Sequence, residues 1–134
     1  MPWYPVLGNH DYYGTHTPYA EIQYYKNKRD HRWFMPDYNY TKTWVVDAEA
    51  GVTLQIIFVD TVTLAPHAAS RTGVSGTNLP SDYKVLDAIR NPQLKWIEQT
   101  LEASTATYKL IAGHYHGAYY TIWHHKNDFL LHLL

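Results

Sequence analysis

Short apolar runs, separated by turn-forming residues, recur along the chain at the lengths of strands. Residues 54–59 are nearly all apolar, which is the pattern of a strand covered on both faces in an α/β sandwich. Residues 48–51 form a turn signal between this run and the one before it, so the two runs predict a β-hairpin. The predicted strands cover residues 43–47, 52–60 and 108–112, and residues 5–7 are predicted to end another strand.

Two helices are predicted between these strands. Within residues 19–29, side chains four positions apart are spaced to lie on one face of a helix. The segment ends in Lys and Arg, whose positive charges are favourable at a helix C-terminus. Asn91 and Pro92 are typical of an N-cap and the first helical residue, so a helix is predicted to begin there. Its apolar stripe is Leu94, Ile97 and Leu101. The remaining segments are predicted to be a long loop (65–82) and the start of a further helix (128–134).

Composition says more about the possible binding partners than about the fold. The chain has 134 residues and a net charge of −1, so no polybasic stripe indicates nucleic acid. No apolar run approaches the roughly 18 residues of a membrane span, and no signal-peptide pattern is visible at the N-terminus. We therefore expect one domain that binds neither nucleic acid nor membrane.

Histidine is abundant and cysteine is missing. With nine His and no Cys, a transition-metal site would be built from imidazole nitrogen and from oxygen of Asp, Asn or Tyr. This donor set suits Zn, Mn or Fe better than a soft metal.

Polar residues follow a glycine at the ends of two predicted strands. Gly8-Asn9-His10-Asp11 follows residues 5–7, and Gly113-His114 follows residues 108–112. Since ligands collect at the carboxyl ends of strands in α/β sheets, these side chains are predicted to converge. Asn9 offers an amide oxygen, His10 a titratable imidazole, and Asp11 a carboxylate that can orient it. The alternative is that both segments are only turns, because Gly, Asn and Asp are ordinary turn residues.

These residues resemble a known family. The segment from Trp3 through Gly8-Asn9-His10-Asp11 is similar to the Gly-Asn-His-Asp/Glu block of calcineurin-like metallophosphoesterases. More closely, it resembles the small purple (tartrate-resistant type) acid phosphatases. Supporting blocks follow in the family's order: residues 32–36, 58–64, 93–97 and 108–115, of which the last resembles a Gly-His-Tyr-Pro block.

The resemblance implies a partial calcineurin-like phosphoesterase domain over residues 1–134. The implied fold is a partial four-layer αββα sandwich with mixed sheets, truncated at both ends. The implied reaction is acid-phosphatase-like hydrolysis of phosphate monoesters at a binuclear metal centre of Fe with Fe, Zn or Mn. Asn9 and His114 would ligate one metal, through amide oxygen and imidazole. His10 would lie near the substrate phosphate with Asp11 holding its orientation, and His124 or its neighbour His125 would lie on the substrate side.

The same resemblance implies that part of the metal site lies outside this chain. The family's first Asp block, its bridging-Asp block and its final Gly-His-x-His block have no match in residues 1–134. Residues 113–116 do spell Gly-His-x-His, but their flanks match the Gly-His-Tyr-Pro block, with His116 in place of Pro. We therefore expect at most one partial metal site and no hydrolysis by the isolated chain.

Two other functions stay open at this point. The chain could be a truncated, non-catalytic relative of the family. It could also be a binding module for glycans or a protein partner, because its 13 Tyr and 5 Trp give it a large aromatic surface. The tyrosine pairs at 12–13, 24–25 and 119–120 are predicted to be packing surface rather than a carbohydrate platform.

Overall fold

The computed structural model describes residues 1–12, 18–64 and 83–115, except for the side chains of residues 83–87 and 89. Strands and helices are mixed in this part of the chain, so the predicted α/β class is confirmed. The elements are a 3-10 helix (Asn9–Tyr12), α1 (Tyr19–Lys26), β1 (Tyr40–Asp47), β2 (Val52–Phe58), α2 (Thr61–Leu64), α3 (Tyr83–Ala103) and β3 (Tyr108–Ala112).

The three strands form one mixed sheet in the order β1-β2-β3. β1 and β2 are the predicted hairpin, and they pair antiparallel with Tyr40 opposite Phe58. β3 lies parallel to β2, with Ala112 beside Phe58. Because β2 and β3 run in the same direction, their carboxyl ends lie at one edge of the sheet. Whatever follows each strand is therefore brought close together.

An apolar cluster lies on each face of the sheet, because successive residues of β2 point to opposite faces. Phe58 packs in a cluster with Leu7 from the N-terminal segment. Its neighbour Ile57 packs in a second cluster with Ile97 of α3. Leu7, Ile57 and Ile97 have no exposed surface. The end of β2 is thus covered on both faces, and the N-terminal segment is held against the sheet.

Residues 5–7 have irregular backbone, so the strand predicted there is wrong. The strand-like pairing lies two residues earlier, where Trp3 forms a parallel bridge to Trp33. Trp3 N donates to the Arg32 carbonyl at 2.6 Å, and Phe34 N donates to the Trp3 carbonyl at 2.9 Å. Pro5 has no N–H to continue such a ladder. Packing of Leu7, rather than strand pairing, holds this segment.

The first helix ends at Lys26, three residues before the predicted end. Lys28 takes the left-handed conformation, with a φ of 52°, which stops the helix. Lys28 N donates to the Tyr25 carbonyl at 2.9 Å, and Arg29 N donates to the Tyr24 carbonyl at 3.2 Å. This pair of bonds is the Schellman arrangement that satisfies the last carbonyls of a helix.

The last helix begins at Tyr83 and continues through Pro92, so the start predicted at Asn91 is wrong. Pro92 has no N–H for the carbonyl of residue 88, but its exposed position lets water bond that carbonyl instead. The predicted apolar stripe does face the sheet: Ile97 is buried, and Leu94 and Leu101 pack against its cluster. This stripe lies on the C-terminal side of Pro92 and holds that part of the helix against the sheet.

Replacing Pro92 with alanine should therefore stabilise the protein. The variant regains one helical hydrogen bond and loses the ring clash, which together amount to about 1–3 kcal/mol in the free energy of unfolding. Urea unfolding followed by circular dichroism measures the change. Asn91→Ala is the matched control at a neighbouring exposed position, and we expect it to change stability by only a few tenths of a kcal/mol. Equal effects of the two variants would contradict this account.

Several predictions fall outside the described residues: the loop 65–82, the helix start at 128–134, and His116, His124 and His125. The four-layer arrangement and the single domain over residues 1–134 also stay predictions. None of the described helices has the length and apolarity that a membrane crossing requires.

Candidate functional site

The two glycine turns predicted to converge lie side by side. Asn9 follows the N-terminal segment, and His114 follows β3, 105 residues later. The Asn9 Oδ1 atom lies 3.0 Å from the His114 Nε2 atom. The amide oxygen can only accept, so this contact is a hydrogen bond in the tautomer of His114 that carries its proton on Nε2. His10 lies between Asn9 and Asp11 in the same turn and is exposed to solvent.

Close approaches explain the glycine in each turn. The His114 ring lies over Gly8, where a Cβ would meet the ring atoms at 3.2–3.3 Å. A Cβ on Gly113 would overlap the Thr61 side-chain methyl and would lie 3.2 Å from the Val59 side chain. Any larger residue at position 113 would have to displace the turn that follows β2. Gly113 is therefore required by packing, while a side chain at Gly8 would crowd the His114 ring.

Asp11 closes the first turn. Its Oδ2 accepts a hydrogen bond of 2.7 Å from Gly8 N, while Asp11 N donates to the Gly8 carbonyl at 3.2 Å. The Asp11 side chain also shares a hydrogen bond with Glu21 at the start of α1. Burial, this hydrogen bond and the Asp11 charge raise the pKa of Glu21 from 4.5 to about 7. The turn is thus tied to α1, while the orientation of His10 by Asp11 stays a prediction.

The Glu21 pKa predicts a pH dependence of stability. A carboxyl whose pKa is raised on folding stabilises the protein below its unfolded value, and this contribution is lost as the pH rises through about 7. We expect Glu21→Gln to be more stable than wild type at pH 8, with a smaller difference at pH 5. Because Glu21 is half-buried, the slope should be a fraction of the ~1.4 kcal/mol per pH unit of a fully buried group.

Thermal unfolding of both proteins from pH 4.5 to 8 measures this difference. Glu49→Gln, in the exposed turn between β1 and β2, is the control and should track wild type at every pH. A constant offset between Glu21→Gln and wild type across the range would show that the shared proton is not the cause.

A buried polar network lies beside the two turns, at the carboxyl end of β2. Asp60 is only 1% exposed, and its carboxylate accepts hydrogen bonds from the Tyr12 hydroxyl and the Thr63 hydroxyl. Burial raises the pKa of Asp60, while these hydrogen bonds oppose the rise. Burial and the Asp60 charge hold the pKa of Tyr12 far above its usual range, so the shared proton stays on the tyrosine.

Sequence reasoning included Asp60 in a strand and gave Tyr12 only a packing role, as part of the tyrosine pair 12–13. An available signal was the Asp60-Thr61-Val62-Thr63 run, because an Asp ahead of a Thr three residues on is typical of a helix N-cap. The contact between Asp60 and Tyr12 has no such local signal.

The residues suited to a metal form only part of a site. Neighbouring ligands with metal bonds of about 2.0–2.2 Å lie roughly 3 Å apart at an octahedral centre and about 3.4 Å apart at a tetrahedral one, so the 3.0 Å spacing of Asn9 Oδ1 and His114 Nε2 fits octahedral geometry better. Within residues 1–12, 18–64 and 83–115, no group of three or more His, Asp or Glu side chains is arranged to hold a metal ion. An amide oxygen and an imidazole are two ligands, and catalytic metals usually have three or more.

An aromatic cleft of about 550 Å³ lies at the other end of the N-terminal segment. Its aromatic walls include Tyr24 and Trp33, whose ring centres are 6.0 Å apart with planes at 77°. The Trp33 Nε1 atom is buried and has no hydrogen-bond partner among the described residues. The cleft is lined by Trp3, Glu21, Tyr24, Asp30, Arg32 and Trp33, together with an alanine from α1.

The tyrosines that were predicted to form a packing surface differ in their exposure. Tyr12 is buried in the core, and Tyr25 packs edge-to-face on Phe34, with ring centres 5.2 Å apart. Tyr24 instead lines the cleft and is 43% exposed.

Comparison with known proteins tests the resemblance to the purple acid phosphatases. The chain is 31% identical over 126 residues to purple acid phosphatase 17 of Arabidopsis thaliana, covering 92% of this chain and 32% of that protein. It is 32% identical over 120 residues to purple acid phosphatase 4 of the same plant, covering 85% of this chain and 30% of that protein. No protein-family model matches the chain. The chain thus spans about a third of the length of these relatives, and over that length its resemblance to purple acid phosphatases is confirmed.

Proposed function

We propose that this relative of the purple acid phosphatases supplies part of the metal site of a phosphomonoester hydrolase. The observation that supports the proposal most directly is the 3.0 Å spacing between Asn9 Oδ1 and His114 Nε2. These atoms come from two turns far apart in the chain, and each turn follows a glycine on which a close approach depends.

In this proposal Asn9 and His114 bind one metal of a two-metal centre. The single ring proton of His114 would then lie on Nδ1, so that the Nε2 lone pair could bind the metal in place of its contact with Asn9. Asn9 contributes a neutral oxygen, which leaves the net positive charge of the centre available to the substrate. When bound, a metal pair neutralises phosphate charge and supplies a hydroxide nucleophile.

His10 is proposed to act on the substrate phosphate rather than on the metal. It is exposed and adjacent to Asn9 in the turn, so its imidazole can donate a hydrogen bond or a proton to a phosphate oxygen. Asp11 would hold its orientation, and His124 would lie on the substrate side. The remaining metal ligands would come from outside residues 1–134.

A Zn²⁺ titration of the 134-residue chain, followed by ¹H–¹⁵N nuclear magnetic resonance, tests this part of the metal site. We expect the signals of Asn9 and His114 to shift together as a single Zn²⁺ ion binds weakly. Asn9→Ala and His114→Ala should each weaken binding at least tenfold. His31→Ala is the matched control, because His31 has 94% of its side chain exposed and lies outside the turns. Equal losses in all three variants, or shifts elsewhere than at the two turns, would contradict the proposal.

Hydrolysis of p-nitrophenyl phosphate tests the reaction class. We expect no turnover above background from the isolated chain with Zn²⁺, Mn²⁺ or Fe, since the described residues supply no bridging carboxylate. A longer protein containing this segment should hydrolyse the ester, and His114→Ala in that protein should abolish the activity. Turnover by the isolated chain would mean that residues 1–134 hold a complete site.

The aromatic cleft favours a second candidate, a glycan-binding surface. Trp3 and Tyr24 present partly exposed ring faces, on which a sugar can stack, and Glu21 can bond its hydroxyls. Trp3→Ala should then abolish binding in a glycan array, whereas Tyr38→Ala, at another exposed tyrosine, should not. Absence of binding by wild type to every glycan would remove this candidate.

A further inference from the structure

We infer that the turn after β2, residues 59–63 and here called the Asp60 turn, is a positioning element that holds Asn9 and His114 at their 3.0 Å spacing. The inference rests on the proposed function for its metal-binding consequence, and on hydrogen bonds for the positioning itself. The Asp60 turn contacts both glycine turns, although it contributes no donor atom to the candidate site. Its residues would be positioning residues rather than ligands.

One arm of the Asp60 turn reaches the loop that carries Asn9. The Asp60 carboxylate accepts the hydrogen bond of the Tyr12 hydroxyl, which comes from the opposite end of the 3-10 helix Asn9–Tyr12. Tyr12 is only 7% exposed and packs in the cluster that contains Leu7. Since that helix is a single turn, fixing Tyr12 fixes the direction in which Asn9 is presented.

The other arm reaches the turn that carries His114. The Thr61 hydroxyl oxygen accepts a hydrogen bond of 2.9 Å from Tyr115 N, directly after His114. Val59 N donates to the Ala112 carbonyl at 2.9 Å, two residues before His114. The Asp60 turn therefore bonds the backbone on both sides of Gly113-His114 and limits how far that segment can shift.

The Asp60 turn is itself fixed by α3. The Gln93 side chain accepts a hydrogen bond from Asp60 N at 2.9 Å and donates to the Asp60 carbonyl at 3.2 Å. It also donates to the Thr63 hydroxyl at 3.0 Å. Asp60 Oδ1 accepts from Val62 N at 3.0 Å, which caps α2. Each of these polar groups is buried and paired, which is the condition under which such a network is rigid.

Two variants break one arm each and leave the ligands unchanged. Tyr12→Phe removes the hydroxyl bonded to Asp60, and Thr61→Val removes the acceptor of Tyr115 N. Tyr40→Phe is the matched control, because its buried hydroxyl donates to the Pro5 carbonyl at 2.7 Å and lies outside the Asp60 turn. Thr61→Ser keeps the hydroxyl and should rescue the effect of Thr61→Val.

The first readout is made without metal. In wild type we expect nuclear Overhauser contacts between the Asn9 side-chain amide and the His114 ring. These contacts should be lost or strongly weakened in Tyr12→Phe and Thr61→Val at temperatures where both are folded. They should persist in Tyr40→Phe and Thr61→Ser. Unchanged contacts in the first two variants would overturn the inference.

The second readout is the Zn²⁺ affinity, which should fall about tenfold in Tyr12→Phe and in Thr61→Val, as is typical for groups that orient metal ligands. A lower melting temperature with unchanged contacts and unchanged affinity would mean that the Asp60 turn only stabilises the fold, and would overturn the inference. If wild type shows the contacts but binds no Zn²⁺, the proposed function fails while the positioning role is still decided by the first readout.

Discussion

Replacing Asp60 with alanine is expected to lower the free energy of unfolding by about 3–5 kcal/mol, close to the limit for a single substitution. The change removes the acceptor of the Tyr12 and Thr63 hydroxyls, both of which are buried. It also removes the cap of Val62 N at the start of α2. The Tyr12 hydroxyl and Val62 N are buried donors that lose this partner, whereas the Thr63 hydroxyl can still donate to the backbone carbonyl of residue 60 at 3.1 Å. Urea unfolding followed by tryptophan fluorescence measures the loss.

Asp47 provides the matched control for this prediction. Its Oδ1 accepts from Glu49 N at 2.9 Å and from Ala50 N at 3.0 Å, which is the same kind of local cap as at Asp60. Since Asp47 is exposed, water replaces the lost acceptor, and Asp47→Ala should cost about 1 kcal/mol or less. Asp60→Asn should fall between the two, because an amide keeps one acceptor. Similar losses at Asp47 and Asp60 would show that burial of the network contributes little.

Replacing Gly113 with alanine is the second large effect that we expect. The new Cβ would overlap the Thr61 methyl, so the backbone after β3 or the Asp60 turn must shift. Forced shifts in packed structure cost about 1–3 kcal/mol. His114 is the next residue and should move away from Asn9, so Zn²⁺ affinity should fall together with stability. Denaturant unfolding and the Zn²⁺ titration measure the two effects.

A double substitution separates this steric effect from any other consequence of losing glycine. Thr61→Ser deletes the methyl that the alanine meets but keeps the hydroxyl that accepts from Tyr115 N. Gly113→Ala with Thr61→Ser should therefore recover most of the stability and affinity lost by Gly113→Ala alone. If the double variant is no better than the single one, the overlap with Thr61 is not the cause.

The fold could be predicted wherever local pattern and tertiary packing agree. The hairpin and β3 carry strand-length apolar runs bounded by turn residues, and both are present. The start of α3 could not be predicted, because Asn91-Pro92 has the local chemistry of a helix N-terminus. The helix instead begins eight residues earlier, at Tyr83, and holds Pro92 in its interior at an exposed position. The strand prediction for residues 5–7 was wrong for a related reason, because a strand needs a neighbouring strand to pair with and the local sequence does not identify one.

The candidate site divides in the same way. Asn9 and His114 could be predicted to meet because each follows a glycine that ends an apolar segment, although only the segment before His114 is a strand of the sheet. The network behind them could not, because its members share no spacing. Tyr12 and Asp60 are 48 residues apart, and Gln93 lies on a helix at a position where its polar side chain predicts a surface residue. Hydrogen bonds between side chains of distant elements leave no periodic mark on the sequence.

The imidazole of His114 is packed close to Gly8, with three ring atoms 3.2–3.3 Å from where a Cβ would stand. A ring confined in this way loses its rotational entropy when the chain folds rather than when a ligand arrives. Binding at Nε2 therefore carries a smaller ordering cost than binding to a freely rotating histidine. The same confinement makes affinity depend on local order: conditions that loosen the Gly8 turn should release the ligand before the core between the sheet and α3 unfolds.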